Sequence, residues 1–254
     1  MSADGGEYAL RATGIVKSFA GFIAIDDLTL NVQHGTIHAI IGPNGAGKTT
    51  LLGILSGFLR ADAGDVRFAN RDITHIGPSA IAQLGIVRSF QINSIFPHIT
   101  TLENVKVALQ ARTTLSRRVL AGSKATAVLD EPARAALHVA GLDEYVHNVA
   151  ATLPYGKKRA LELAIAVAQD PKVLLLDEPT SGMGAEDIGP TIELIGRVAA
   201  GRTVVLVEHN LRVVEHLCNR VSVLERGKLL TEGTYDEVRA DPHVIEAYLG
   251  AGRN

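Results

Sequence analysis

Apolar positions along the chain follow two periods. The runs Thr36 to Ile41, Val173 to Leu176 and Thr203 to Val207 are almost continuously apolar, as strands buried on both faces of a parallel sheet must be. Tyr8 to Phe19 and Asp27 to Val32 instead alternate apolar with polar residues, which predicts two antiparallel strands turning through Ala20-Gly21. Asp65 to Ala69, Ile86 to Phe90 and Val221 to Leu224 read as shorter strands. Helical spacing occupies Thr49 to Phe58, Pro78 to Gln83, Lys157 to Gln169 and Ala185 to Ala200, with two short helices closing the chain.

From Ile92 to Thr152 the pattern changes character. Thr100-Thr101-Leu102-Glu103 forms a capping box that opens a helix to about Ala111. A basic stretch with Arg112, Arg117, Arg118 and Lys124 follows, and a second helix runs from about Ala125 to Ala140, stopped by Gly141. The basic cluster reads as a solvated face. This segment, about 92–154, is expected to be a helical insertion in a single α/β domain spanning 1–254.

The chemistry concentrates where strands end. Gly42-Pro43-Asn44-Gly45-Ala46-Gly47-Lys48-Thr49-Thr50 satisfies the phosphate-loop pattern between a predicted strand and a predicted helix. Its glycines let backbone N–H groups turn toward an anion, and the helix adds its positive end. Lys48 reaches β and γ phosphates, and Thr49 can ligate Mg²⁺. Val173 to Leu176 then delivers Asp177 and Glu178, adjacent carboxylates that rarely end an apolar strand for packing reasons. Asp177 suits Mg²⁺, and Glu178 suits orientation and deprotonation of an attacking water. His209 follows the next apolar strand, where an imidazole can donate to a γ-phosphate.

Three other positions carry weaker signals. Gln91 follows a strand at the sheet end where ligand-facing side chains project, although a glutamine there can equally be a solvated residue. Phe19 precedes the phosphate loop and can offer adenine a stacking face; a core role is the alternative, and Phe22 competes for the stacking one. Leu153-Pro154-Tyr155-Gly156 marks a turn before a helix whose N-terminus is a further potential anion site.

Composition narrows the remaining classes. The 25 Lys+Arg against 27 Asp+Glu give no polyanion signature, so no nucleic-acid partner is expected. The single cysteine, Cys218, excludes an internal disulfide, suits a reducing cytosol, and lies in a helical pattern as a small hydrophobe. No apolar run approaches the roughly 18 to 20 residues a membrane helix requires, and Met1 to Leu10 lacks a basic-then-apolar leader.

Taken together, the motifs resemble an ATP-binding cassette (ABC) transporter ATPase subunit over nearly the full chain and in family order. They are Phe19, the loop Gly42 to Thr50, Gln91, Leu153 to Lys157, the Val173 to Glu178 strand, the turn Ser181 to Gly184, and His209. The resemblance implies a RecA-like, mainly parallel core with an antiparallel β subdomain, binding ATP and Mg²⁺. It implies that Phe19 stacks on adenine, that Gln91 senses Mg²⁺ and water, and that Glu178 is the general base. It further implies a second cassette, homo- or heteromeric, in which Tyr155 and Gly156 of one subunit face the ATP held by Lys48 of the other. Polytopic permeases, and through them an extracytoplasmic solute-binding protein, would complete the assembly on the cytoplasmic face of the membrane. Leu-Pro-Tyr-Gly, Arg88-Ser89-Phe90-Gln91 and the ending Val244 to Gly250 are similar to the branched-chain amino-acid importer branch; urea and amide transporters are the related alternative.

The chain departs from the family pattern in three places. Pro154 stands where the family has serine, Lys157 stands in the usual glutamine place and would add positive charge near the anion, and Gly184 replaces an aspartate. Two other readings carry less of the pattern. A soluble ABC ATPase on nucleic acid or ribosomes would carry two cassettes or a coiled-coil insertion. A small-molecule kinase would not account for Leu153 to Lys157.

Overall fold

The computed structural model describes residues 8–89, 95–112 and 127–250. Strands β1 (Tyr8–Phe19) and β2 (Phe22–Gln33) form the expected hairpin. Its turn places Ala20 at φ 47° and Gly21 at φ 87°, the doubly positive geometry whose twist matches the flanking strands. The second strand begins at Phe22 rather than Asp27 because this tight turn lets pairing start at once, with Phe19 opposite Phe22. With β4 (Ala63–Phe68) and β5 (Arg71–Asp72) the hairpin makes a four-stranded antiparallel sheet ordered β2-β1-β4-β5.

The second sheet is ordered β10-β9-β3-β8-β7-β6. Its members are β3 (Ile37–Ile41), β6 (Ile86–Arg88), β7 (Val173–Asp177), β8 (Thr203–Val207), β9 (Arg220–Glu225) and β10 (Lys228–Gly233). All pairings are parallel except β9 with β10 at one edge. The apolar runs are buried on both faces, for two layers cover this sheet. Leu174, Leu176, Val204 and Leu206 pack with α5 (Tyr155–Ala168) and α6 (Ala185–Ala199), and with α3 (Thr101–Arg112) and α4 (Asp130–Val139) beyond them. Ile40, Val173, Leu175 and Val205 face the other way, against Leu10, Ile15, Leu28 and Leu30 of the antiparallel sheet, Leu51, Leu52 and Leu55 of α1 (Lys48–Leu55) and Ile81 of α2 (Pro78–Leu84).

Several boundaries differ from expectation. Helix α5 begins at Tyr155, with Pro154 as its N-cap, so Tyr155 and Gly156 belong to a helical first turn rather than to the preceding turn. The residues that signal a turn are also those that open a helix: the carbonyl of Pro154 accepts from the N–H groups of Lys157 and Lys158, both at 3.0 Å. Cys218 caps the C-terminus of α7 (Leu211–Leu217), half-buried. Thr100 and Glu103 form the predicted capping box, with reciprocal bonds of 2.8 and 3.2 Å. Phe90, Gln91 and the basic residues Arg117, Arg118 and Lys124 lie outside the described residues, as does Ala125.

Candidate nucleotide site

Register brings three strand ends together. Ile40 of β3 pairs with Val207 of β8, and Val207 pairs with Asp177 of β7, so the loops after these strands lie side by side at one edge of the sheet. These loops carry Gly42 to Gly47, which leads into Lys48 to Thr50 at the start of α1, together with Glu178 and His209.

In the phosphate loop, Gly42, Gly45 and Gly47 have φ of 148°, 81° and 100°. A Cβ at Gly42 would lie 2.1 Å from the Leu224 carbonyl oxygen, and one at Gly47 would lie 2.6 Å from that of Ala24. Two of the glycines are therefore demanded by crowding as well as by dihedral angle. Ala46 is buried, Asn44 and Gly45 are exposed, and Pro43 and Thr50 lie between. Helix α1 starts at Lys48 with no side-chain cap, which leaves first-turn N–H groups available to an anion. The Lys48 ammonium donates to the carbonyls of Gly42 and Pro43 at 2.8 and 3.0 Å. Burial lowers its pKa, while Glu178 and Asp177 act in the opposite sense.

Asp177 accepts from the Arg88 guanidinium at 2.6 Å through Oδ2, and both side chains are largely buried. Glu178 adopts φ 46°, rare for a residue with a Cβ, and its N–H donates to the Val207 carbonyl at 2.9 Å. Among the described residues no three His, Cys, Asp or Glu side chains group as a metal cage. A Mg²⁺ ion that keeps its waters and takes its other ligands from phosphates would find side-chain oxygens in exposed Thr49 and in Asp177, whose Oδ2 is held by Arg88.

The His209 side chain is 58 % exposed, with Nδ1 3.9 Å from Oε2 of the fully buried Glu208. Phe19 and Phe22 are 44 % and 67 % exposed at the hairpin tip, so neither is a core residue. The Lys17 ammonium lies 5.3 Å from the Phe19 ring centre. Tyr155 reaches within its own chain: its hydroxyl donates to the Ser181 carbonyl at 2.8 Å, tying α5 to the turn after Glu178. Lys157 departs from expectation. Its ammonium sits 5.2 Å from the Tyr145 ring and 3.4 Å from the Gly141 carbonyl, where cation–π attraction holds it toward the helical layer.

Two participants escaped the reading of the sequence. Arg88 is a cation on a strand edge, and its partner lies 89 positions away. Glu208 carried a legible signal, an acid directly after an apolar strand, the same arrangement that drew attention to Asp177 and Glu178.

A phosphate loop, two carboxylates and a histidine on three neighbouring strand ends define a phosphate-loop nucleotide hydrolase. The chain belongs to the ABC transporter ATP-binding family: residues 25–181 match the ABC transporter family, and residues 228–253 match the branched-chain amino acid ATP-binding cassette transporter family. It is 33 % identical over 250 residues to the high-affinity branched-chain amino acid transport ATP-binding protein BraF of Pseudomonas aeruginosa, covering 95 % of this chain and 97 % of that one. It is 34 % identical over 248 residues to LivG of Salmonella typhimurium, a protein of the same description, with the same coverage. Among solved structures it is similar to a nucleotide-free ABC transporter cassette (TM-score 0.80, 30 % identity, 94 % of this chain and 98 % of that chain). It is also similar to a cassette in its ADP conformation (TM-score 0.82, 29 % identity, 95 % and 98 %). The chain is accordingly an ATPase of the ABC type. Among the described residues no helix is long and apolar enough to cross a membrane.

Proposed function

We propose that this chain hydrolyses ATP for an importer of branched-chain amino acids or related small polar compounds, docked on the cytoplasmic face of separate permease subunits. The observation that carries the ATPase half is the alignment of Lys48, Asp177, Glu178 and His209 at adjacent strand ends. The cargo class rests on the branched-chain relatives and on the matched C-terminal segment.

The phosphate loop holds the triphosphate, and Lys48 exchanges its two carbonyl partners for phosphate oxygens. Thr49 and Asp177 are the residues that would hold Mg²⁺, and the ion would supply charge neutralisation on the phosphates. Glu178 orients the attacking water and accepts its proton, and His209 donates to the γ-phosphate. An exposed aromatic ring at the hairpin tip, Phe19, stacks on adenine. Gln91, outside the described residues, is read from the family resemblance alone as a second Mg²⁺ contact and a link to the permease.

A second cassette, this chain or a relative, completes each site. Gly156 supports this reading. A Cβ there meets no atom of the described residues within 4 Å and its φ is not positive, so nothing among the described residues requires glycine. Close approach of a second cassette at this helix start would. For the permease, the cleft of about 320 Å³ lined by Phe58, Pro78, Arg88, Glu162 and Ile165 is the favoured seat. Phe58 is half exposed there, and the buried Glu162 Oε1 has no hydrogen-bond partner among the described residues.

Gentle solubilisation of tagged protein from its own membranes tests the assignment. Co-purification of polytopic membrane chains supports it, and leucine-stimulated ATP hydrolysis in the reconstituted assembly defines the cargo. Stimulation by urea or a short amide instead would reassign the cargo. Recovery with ribosomes or nucleic acid would overturn the transport role.

A further inference from the structure

Glu208 is the only carboxylate among the described residues with no exposed side-chain surface that no assigned role uses. It stands directly after β8 and spends its whole acceptor capacity on two turns. Oε1 accepts the N–H and hydroxyl of Thr180, at 3.0 and 2.5 Å. Oε2 accepts the N–H groups of His209 and Asn210, at 2.9 and 3.1 Å. A carboxylate offers about four acceptor positions, and all are filled by hydrogen-bond donors. Among the described residues its closest basic group is the His209 ring, 3.9 Å away. The neighbouring Cys218 thiol, pushed up to about 12 by burial and by the Glu208 charge, stays protonated and brings no second anion.

The two turns that share this carboxylate both belong to the site. Thr180 follows Glu178 by two residues, and the next residue, Ser181, receives the Tyr155 hydroxyl and donates its N–H to the Glu178 carbonyl at 3.0 Å. His209 is fixed through its own peptide N–H. Asn210, the other Oε2 partner, caps α7 by accepting from Arg212 at 3.1 Å, so the His209 turn cannot rotate without breaking the start of that helix.

We propose that Glu208 is a positioning residue of the ATPase site: one buried carboxylate sets His209 against the Glu178 turn, and through Ser181 and Tyr155 against the first turn of α5. The proposal rests on the roles given above to Glu178 and His209. It extends them to a residue that touches no nucleotide.

The full chain, assayed with ATP and Mg²⁺, tests this with Glu208→Gln. The replacement keeps shape but turns one acceptor oxygen into an NH2 group, which must face either Thr180 or the pair His209 and Asn210 donor to donor. The expected result is a kcat lower by about 10-fold or more with KM for ATP changed by less than about 2-fold, the pattern of an interaction that matters in the transition state. In a His209→Ala background the same change should cost less than about 2-fold further, because its effect passes largely through His209. Thr180→Val, which removes only the hydroxyl donor, should lower kcat by about 3-fold in the parent and have no effect beside Glu208→Gln. It decides the matter if Glu208→Gln does not fold. A wild-type kcat for Glu208→Gln, losses that multiply with those of His209→Ala, or a KM rising in step with the fall in kcat would each overturn the proposal. Glu178→Gln serves as the control. If it is inactive while Glu208→Gln is not, the assignment of the site stands and only the positioning role fails.

Discussion

Arg88 and Asp177 join the ends of two adjacent parallel strands, with Nη2 2.6 Å from Oδ2 and both side chains shielded from water. Removing one partner leaves a charge in a largely buried place, whereas removing both leaves none. Arg88→Met should therefore destabilise the nucleotide-free protein by about 2–3 kcal/mol, and adding Asp177→Asn should recover part of that loss. Denaturant unfolding of the two single variants and the double variant provides the cycle. Additive losses would mean that the pair is energetically idle.

Glu178→Gln should lower ATP turnover by about 10² or more while leaving nucleotide binding intact, because the proposed role of Glu178 as the water's general base is all that it removes. With hydrolysis blocked, ATP should hold two copies together. Size-exclusion chromatography with and without ATP tests both the base and the closure of the dimer despite Pro154. A variant that hydrolyses ATP at the normal rate, or stays monomeric at high concentration with ATP bound, would remove the corresponding assignment.

The glycines separate internal from external demand. Gly47→Ala places a Cβ 2.6 Å from a backbone carbonyl at φ 100°, so it should cost on the order of 2 kcal/mol and weaken ATP binding. Gly156→Ala meets no described atom within 4 Å in the first turn of a helix, where alanine is favoured by up to about 1 kcal/mol. Its melting temperature should hold or rise while ATPase activity falls. Full activity in this variant would mean that nothing approaches Gly156 from outside.

His38 gives the fold an acid-side limit. Its side chain is fully buried on β3, with Nε2 2.8 Å from Ser222 Oγ, and Glu232 and Arg220 complete the cluster. Burial lowers its pKa from 6.5 to about 4, against the pull of Glu232 and with a smaller push from Arg220. The unfolded chain therefore binds a proton that the folded chain resists. Stability is whole above pH 6.5, falls as pH drops, and stops falling near pH 4, where both states are protonated. From pH 7 to pH 5 this group alone should remove about 2 kcal/mol. Urea unfolding of wild type and His38→Leu at the two pH values measures it as the difference in slope.

These variants also mark what the chain disclosed in advance. Val173 to Leu176 and Thr203 to Val207 were legible as buried parallel strands because both faces of the sheet are covered, and the phosphate loop was legible because its spacing is local. The start of α5 was misplaced because Pro154, Tyr155 and Gly156 carry turn and helix-start signals at once. Strand β10 went unread because Lys228 to Gly233 alternates weakly on an edge. The Arg88–Asp177 and Thr180–Glu208 contacts span 89 and 28 positions and follow only once the register of β6, β7 and β8 is known. The orientation of Lys157 was missed for the same reason, since Tyr145 comes near only through packing of the helical layer.

Pro154 occupies the N-cap place of α5 and makes no side-chain cap bond there. Serine there would supply a capping oxygen, worth about 0.5–1 kcal/mol, while loss of the proline ring would cost a similar amount through the unfolded chain. The two effects nearly cancel, so Pro154→Ser should leave the melting temperature almost unchanged. What it adds is a hydroxyl at a helix N-terminus, which in the proposed cassette pair would face the other subunit's γ-phosphate. In a Glu178→Gln background, Pro154→Ser should then lower the ATP concentration for half-maximal dimer formation several-fold, measured by light scattering. An unchanged midpoint would show that the first-turn amides of α5 alone bind the phosphate, and that proline at this position carries no penalty for closure.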